Sequence, residues 1–510
     1  MRTLPHRLHG PTCTVLTLLV ALCAPGAAQV LPDVPVPPEN PITEEKRVLG
    51  KILFWEEQLS TDDTVACGTC HRPASGGADP RVAIHPGADG IFFNEDDVFG
   101  SRGVVRRDVN GQPVADPIFG FDPQVTGRTA PSFLSAQHAT DIFWDGRAAT
   151  QFDDPETGAL LIQFNGALES QSVQPILSDV EMAKEDRTWD DVRDKLAAVT
   201  PLGLATDLPP DVAAALAGNP GYPDLFAAAF GDPQITGARI GMAIATYERT
   251  LFPDQTPFDL GTLTPDQTAG FQIFGAATEC VICHEPPLFG DGGFRNLGVR
   301  PIAEDIGRQA VTGSFDDRAK FKVPSLRNVG LRRGFMHNGQ RTNLQEVLDF
   351  YGDPEQQFGD NVDPILPVVA THDDVIIDFL ANGLTDARAA AEVFPFDRPR
   401  LASEVATSVA TWWPSGAPRK LTLNAAFPNP FGPLTTLRYS LAEMRNVTVT
   451  LYDITGRRIR QLVEARQGPG EHRVTWDGTD GVGRRESSGV YLYRIVAGSE
   501  TGHGRVVLTR

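Results

Sequence analysis

The sequence predicts a mainly α chain: two similar helical domains in tandem, followed by a small C-terminal β-sandwich. Three observations predict it. The pattern Cys-x-x-Cys-His occurs twice, at Cys67–His71 and at Cys280–His284. A capped helix pattern runs into each copy. Beyond residue 420 the hydrophobic period switches from helical to alternating, with Gly and Asp turns between the runs.

The chain has 510 residues, too many for one hydrophobic core, so several domains are expected. With 41% apolar and 22% charged residues its composition is that of an ordinary globular protein. A formal net charge of −20 argues against nucleic-acid binding, which needs basic surface, and suits a basic partner. At the N-terminus, Arg2 and Arg7 precede the apolar run CTVLTLLVALCA and the small-residue stretch PGAAQ. This is the layout of a secretory signal peptide over residues 1–28, cleaved after Ala28. A lipoprotein reading through Cys23 is opposed by Leu22, which stands where a small residue is wanted. No other stretch is apolar enough to span a bilayer. The expected product is exported, to the periplasm, the cell surface or the medium, without a transmembrane segment.

Of the 6 cysteines, Cys13 and Cys23 leave with the signal. The other four, Cys67, Cys70, Cys280 and Cys283, all belong to the two motifs, with His71 and His284 directly after them. Two thiols a helical turn apart add across the two vinyl groups of one haem. The adjacent histidine then reaches the iron from the same side. Two Cys-x-x-Cys pairs also suit a zinc site or two disulfides, but neither needs a histidine after each pair. Two covalently bound c-type haems are therefore expected.

The helices fit that reading. ITEEKRVLGKILFW has Thr43 as N-cap, Glu44 and Glu45 in the first turn, and Val48, Leu49, Ile52 and Leu53 on one face. TPDQTAGFQIFG has Thr264 as N-cap, Pro265 at the first helical position and Gln267 closing a capping box. The expected organisation is a cytochrome c-like haem domain over 29–255, a second over 256–395, a linker over 396–420 and a β-domain over 421–510.

Seven segments in order carry a closer resemblance: GKILFWEEQLSTDDTVACGTCHRPASGG, GRTAPSFLSAQHATDIFWDGRA, PILSDVEMA, ATYERTLFPDQTPFD, ECVICHEPPLFGDGGF, FKVPSLRNVGLRRGFMHNG and NLQEVLDFYGD. Over roughly residues 40 to 390 the chain resembles the bacterial di-haem cytochrome c peroxidases and their MauG relatives. That family reduces hydrogen peroxide to water with electrons from small periplasmic donors. The resemblance implies a peroxidatic haem on Cys67, Cys70 and His71, and an electron-accepting haem on Cys280, Cys283 and His284. It makes Glu181 the group that moves a proton between the peroxide oxygens, and Trp144 the relay between haems. The alternatives are a surface helix acid for Glu181 and a core aromatic for Trp144. His85 falls where some members carry a histidine that closes the peroxide site; its alternative is an exposed loop histidine. His138, His337 and His372 are read as structural, Met182 and Met242 as packing residues.

The sixth ligand of the second haem is a departure. Electron-transferring members place a methionine where this chain has Tyr351. Leu344, Val347, Leu348 and Tyr351 fall at i, i+3, i+4 and i+7, so the tyrosine lies on the buried face. Iron would serve as its partner, with a backbone hydrogen bond the alternative and Met336 the rival ligand. The resemblance also implies one calcium ion. Thr129 replaces the expected asparagine there, beside Arg332 and Gly334, and backbone oxygens would have to serve. The acidic loop DGIFFNEDD is a second calcium candidate, against a plain solvated loop.

The C-terminal segments NPFGPLTTLRYSL, LYDITGRRI, WDGTD and SGVYLYRI resemble type IX secretion sorting domains, which share an immunoglobulin-like form. That resemblance implies delivery or anchoring through the secretion machinery; a simple adhesive module is the alternative. Two functions follow for the haem part. One is a peroxidase fed by a small donor such as cytochrome c or a cupredoxin. The other is a MauG-like enzyme that uses peroxide to oxidise side chains of a protein partner. Glu181 favours the first and Tyr351 the second.

Overall fold

The computed structural model describes residues 31–510 apart from 82, 93, 277, 279, 360, 365–372, 405–421, 428, 430, 433, 442–444, 468–469, 499 and 510. The signal peptide, His372 and most of the expected linker lie outside the described residues. The chain divides into two compact units, Met1–Glu404 and Val405–Arg510.

In the first unit the anticipated helix starts are built as their residues dictate. Thr43 caps the helix Glu44–Phe54 by accepting from the Lys46 amide at 3.3 Å. Its Val48, Leu49, Ile52 and Leu53 are buried. Thr264 and Gln267 close their box reciprocally, at 3.1 and 3.2 Å, ahead of the helix Pro265–Ala276. The helix Gly237–Glu248 packs on Glu44–Phe54 so closely that a Cβ on Gly50 would stand 1.9 Å from the Ala243 carbonyl oxygen. Only glycine admits that approach.

One large core gathers Leu49, Ile52, Phe54, Trp55, Phe133, Phe226, Ile240 and Tyr247 around the first motif. A second, smaller one packs Phe258, Phe274, Phe289, Val329, Ile376 and Phe379 around the second. The chain then returns. Ala389, Phe396 and Leu401 are buried in the first core, and Asp397 takes the Lys51 Nζ at 3.0 Å. Residues 396–404, read from the sequence as the start of a linker, are thus packed against the first motif's domain.

Helices make up 29% and strands 20% of the structure, less helical than a mainly α chain. Part of the strand content is in four short antiparallel pairs of the first unit. These are β1 (Ala83–His85) with β2 (Val98–Gly100), β3 (Arg102–Val105) with β4 (Pro123–Val125), β5 (Phe152–Asp153) with β6 (Leu160–Ile162), and β7 (Phe294–Arg295) with β8 (Phe321–Lys322).

The second unit is β-rich, as its alternation requires. Its described strands are β9 (Thr422–Phe427), β10 (Thr435–Leu441), β11 (Arg445–Asp453), β12 (Arg458–Gln467), β13 (Gly470–Trp476), β14 (Gly489–Ala497) and β15 (Glu500–Leu508). They form a three-stranded sheet, β13-β10-β9, and a four-stranded sheet, β12-β11-β14-β15. Val447, Val449 and Leu451 point inward at every second position, with Leu437, Tyr439, Trp476 and Ile495 in the same core.

Two candidate haem sites

The first motif folds as a single helical turn, Cys67–Cys70, whose start is tied by the Ala66 amide donating to Thr69 Oγ1 at 2.8 Å. His71 leaves the helix in an extended conformation. Its Nδ1 stands 3.2 Å from the Gly77 carbonyl, which fixes the proton there and leaves Nε2 as the free lone pair. Burial pushes the His71 pKa down, so the ring is the neutral donor that iron needs. The second motif uses the same device in a 3₁₀ turn, Cys280–Ile282: His284 Nδ1 lies 3.1 Å from the Phe289 carbonyl, and burial again favours the neutral ring.

Each motif opens on its own cleft. The first encloses about 1780 Å³ of space reckoned out to solvent, and Cys67, Cys70, His71, Trp144 and Glu181 line it. The second encloses about 1720 Å³ and is lined by Cys280, Cys283, His284, Met336 and Tyr351. All four cysteines are unbonded, and among the described residues no three His, Cys, Asp or Glu side chains gather as for a metal ion. Among the described residues no disulfide or three-ligand metal cluster is assembled at either motif. The second cleft also holds Arg332, whose buried Nε has no hydrogen-bond partner and whose pKa burial pushes down to about 10. An anionic group of a ligand would complete it. Paired thiols, a neutral imidazole, apolar walls and an unmet cation fit a covalent c-type haem.

Glu181 sits in a turn rather than on a helix, beside Ser178, whose Oγ accepts from the Glu181 amide at 3.3 Å. The turn is set by β3: the Val104 amide donates to the Val180 carbonyl at 3.2 Å, and a Cβ on Gly103 would stand 1.9 Å from that oxygen. Burial raises the Glu181 pKa, which favours the proton-carrying form.

Trp144 lines both clefts. Its indole N–H donates to the Thr129 carbonyl at 2.8 Å, and its ring meets His337 edge-on at 6.5 Å. Nearby, Arg128 joins the two halves of the unit. It donates to both oxygens of Asp305 at 2.7 Å and to Asp145 at 2.7 Å.

On the helix Leu344–Gly352, Leu344, Val347, Leu348 and Tyr351 all face the second cleft. The Tyr351 hydroxyl has no hydrogen-bond partner among the described residues, and burial holds its pKa far above the ordinary phenol value. Met336 lines the same cleft from a left-handed backbone position, φ 65°.

Other sequence candidates fall elsewhere. His85 pairs with Val98 on β1, with its ring 5.9 Å from Phe119, and lines neither cleft. His138 lies against Phe252, outside both clefts; His337 lines the second and stacks on Phe321 at 3.6 Å. At the calcium candidates, the Thr129 carbonyl already takes Trp144. In the acidic loop, Asp96 caps the Ala88 and Asp89 amides at 2.8 and 3.1 Å. The clefts also contain residues that the sequence did not single out, Glu248 in the first and Arg332 (considered only for its backbone) in the second. Glu248 ends the apolar run GMAIATY, a local sign that it could be buried, whereas Arg332 stands among other arginines in RNVGLRRG and nothing local marks it.

Two attachment motifs, each with an oriented histidine at its own cleft and an indole on the wall of both, define a di-haem c-type oxidoreductase. A family model described as di-haem cytochrome c peroxidase matches residues 44–264, and the FlgD Ig-like domain matches 434–501. The methylamine utilization protein MauG of Methylorubrum extorquens is 31% identical over 62% of this chain and 72% of its own length. The cytochrome c551 peroxidase of Nitrosomonas europaea is 25% identical over 70% and 89%. A crystal structure of a MauG-like protein associated with microbial copper homeostasis shares the fold, with a TM-score of 0.51, 23% identity, and 72% and 96% coverage. The chain belongs to the di-haem cytochrome c peroxidase and MauG family of haem oxidoreductases, which implies two c-type haems.

Proposed function

We propose that this protein is an exported peroxidase that reduces hydrogen peroxide to water with electrons from a small donor protein, such as cytochrome c or a cupredoxin. The observation that carries the reading is the first cleft, where Glu181, its pKa raised by burial, shares one lining with Cys67, Cys70 and His71. The haem there would supply the iron centre at which the O–O bond is cleaved. His71 would hold that iron through Nε2, with its Nδ1–H kept on the Gly77 carbonyl. Glu181 takes the proton from the near peroxide oxygen and returns it to the far one, so that the leaving oxygen departs as water. Two electrons and two protons are consumed for each peroxide, giving two waters. Trp144 carries electrons between the sites, and Cys280, Cys283 and His284 hold the haem that receives them.

Tyr351 supports a second reading. A phenolate oxygen stabilises ferric iron and lowers the potential of the second haem. That suits a MauG-like enzyme, which holds oxidising equivalents on both haems and spends them on a protein partner. The two readings separate in one assay, peroxide consumption by the reduced holoprotein with and without reduced cytochrome c. Steady turnover with the donor supports the peroxidase; a single turnover followed by slow oxidation of an added protein supports the other.

Five proposals complete the picture. The haem-binding unit comprises two lobes, 29–255 and 256–395, with 396–404 returning to the first. Residues 1–28 direct export to the periplasm or beyond. The Ig-like unit is a sorting or anchoring domain read by the secretion machinery, which deletion of residues 421–510 would test by the location of the product. A calcium ion between the lobes would use backbone oxygens, testable by chelation. His85 lies outside both linings, and its role as a ligand that closes the first site is a proposal that a His85→Ala variant tests through the spectrum of the first haem.

A further inference from the structure

Glu248 ends the helix Gly237–Glu248 beside Arg249, and the two side chains part. Arg249 closes a fully buried pair with Glu169, at 2.6 and 2.8 Å, and donates to the Asn165 carbonyl at 2.8 Å. Glu248 instead reaches the lining of the first cleft, with Cys67, His71 and Glu181. It is 4% exposed, its Oε2 has no hydrogen-bond partner, and it makes no ion pair among the described residues. Of the charged groups around the Cys67 thiol, Glu248 acts on it most strongly.

The other charged groups on the surrounding elements are committed. Lys46 donates to Asn40 at 2.9 Å; Lys51 is held by Asp211 and Asp397, both at 3.0 Å; Glu169 is held by Arg249; Glu181 is held by Ser178. Glu248 has only the field of Arg249, itself closed on Glu169, to offset a negative charge. Burying a carboxylate that no cation contacts directly is expensive, so burial pushes its pKa up to about 8 and sets its titration at neutral to mildly alkaline pH. A haem in this cleft changes its charge by one unit on reduction, within a poorly screened interior. A lone carboxyl at the attachment edge is placed to answer that change.

We propose that Glu248 is the protonic partner of the first haem: its carboxylate takes a proton from solvent as that haem gains an electron, and releases it when the electron leaves. Over the pH range in which the carboxyl titrates, up to one O–H bond forms at Glu248 for each electron delivered to that haem, the proton coming from solvent, and no other bond changes. The inference rests on the first cleft holding a haem on Cys67, Cys70 and His71.

The test uses the full holoprotein. Haem content is measured first, then the potential of the first haem is followed against pH by spectroelectrochemistry. Reduced-minus-oxidised infrared spectra are recorded in H₂O and D₂O. The wild type should show a potential that falls as pH rises through neutral and mildly alkaline values, with a carboxylic C=O band that shifts in D₂O. Glu248→Gln should keep both haems, flatten that slope and lose the band. Glu248→Asp should keep the slope with a displaced midpoint, which guards against a folding failure of the glutamine variant. Glu181→Gln should retain the slope. An unchanged slope and band in Glu248→Gln overturns the proposal. A wild-type protein with only one haem, or none on the first motif, would overturn the reading of the cleft instead.

Discussion

The indole N–H of Trp144 donates to the Thr129 carbonyl at 2.8 Å, and these two residues line both clefts. The bond fixes the indole plane on the one aromatic side chain that the two linings share among the described residues. Trp144→Phe should keep both haems and lose about 1 kcal/mol of stability from the missing hydrogen bond. It should also slow electron transfer from the second haem to the first, read by flash reduction. Unchanged transfer would return Trp144 to a packing role.

Glu181→Gln should lower the rate of reaction with peroxide by about 10²–10⁴-fold, with haem content unaltered. Burial favours the protonated carboxyl and Ser178 opposes it, so the wild-type rate should titrate above the ordinary carboxylate range. Stopped-flow spectra across pH check both points. A rate equal to wild type would leave Glu181 as a buried acid without a part in the chemistry.

Tyr351 decides between donor-fed turnover and protein oxidation. Its hydroxyl has no hydrogen-bond partner among the described residues, and it lines the second cleft from the same helix face as Leu344 and Leu348. Tyr351→Met should raise the potential of the second haem, because neutral sulfur replaces an anionic oxygen. Tyr351→Phe should open a coordination position, visible by spin resonance. If neither variant changes spectrum or potential, Met336 is the ligand to examine.

His337 sets an acid limit on stability. It is 6% exposed, stacked on Phe321, and burial pushes its pKa down to about 4 from the ordinary 6.5. The unfolded chain takes up this proton first. The contribution is therefore complete above about pH 6.5, declines as pH falls, and is lost near pH 4, a change of about 3 kcal/mol. Urea unfolding at neutral pH and near pH 4 measures it. His337→Phe keeps the stack and should flatten that limb.

What the sequence revealed was mainly local. The motif spacing, the Thr43 and Thr264 caps and the buried face of Tyr351 depend on residues within two helical turns, and each reads directly from the chain. Glu181 was found through its resemblance, yet its turn depends on β3 passing at Gly103, a contact made by residues far apart in sequence. The return of Phe396 and Leu401 to the first core is of the same kind. A proline-rich stretch reads as a linker until tertiary packing buries its apolar residues. Glu248 is the extreme case, since only the fold separates it from any exposed acid.

The central claim is that peroxide chemistry belongs to the first motif. It is tested most directly by steady-state peroxide reduction in a Cys67→Ala, Cys70→Ala variant, with haem counted on the denatured polypeptide. The account predicts one covalent haem, an intact spectrum for the second site and no peroxide turnover. Turnover retained on the second haem alone would contradict it.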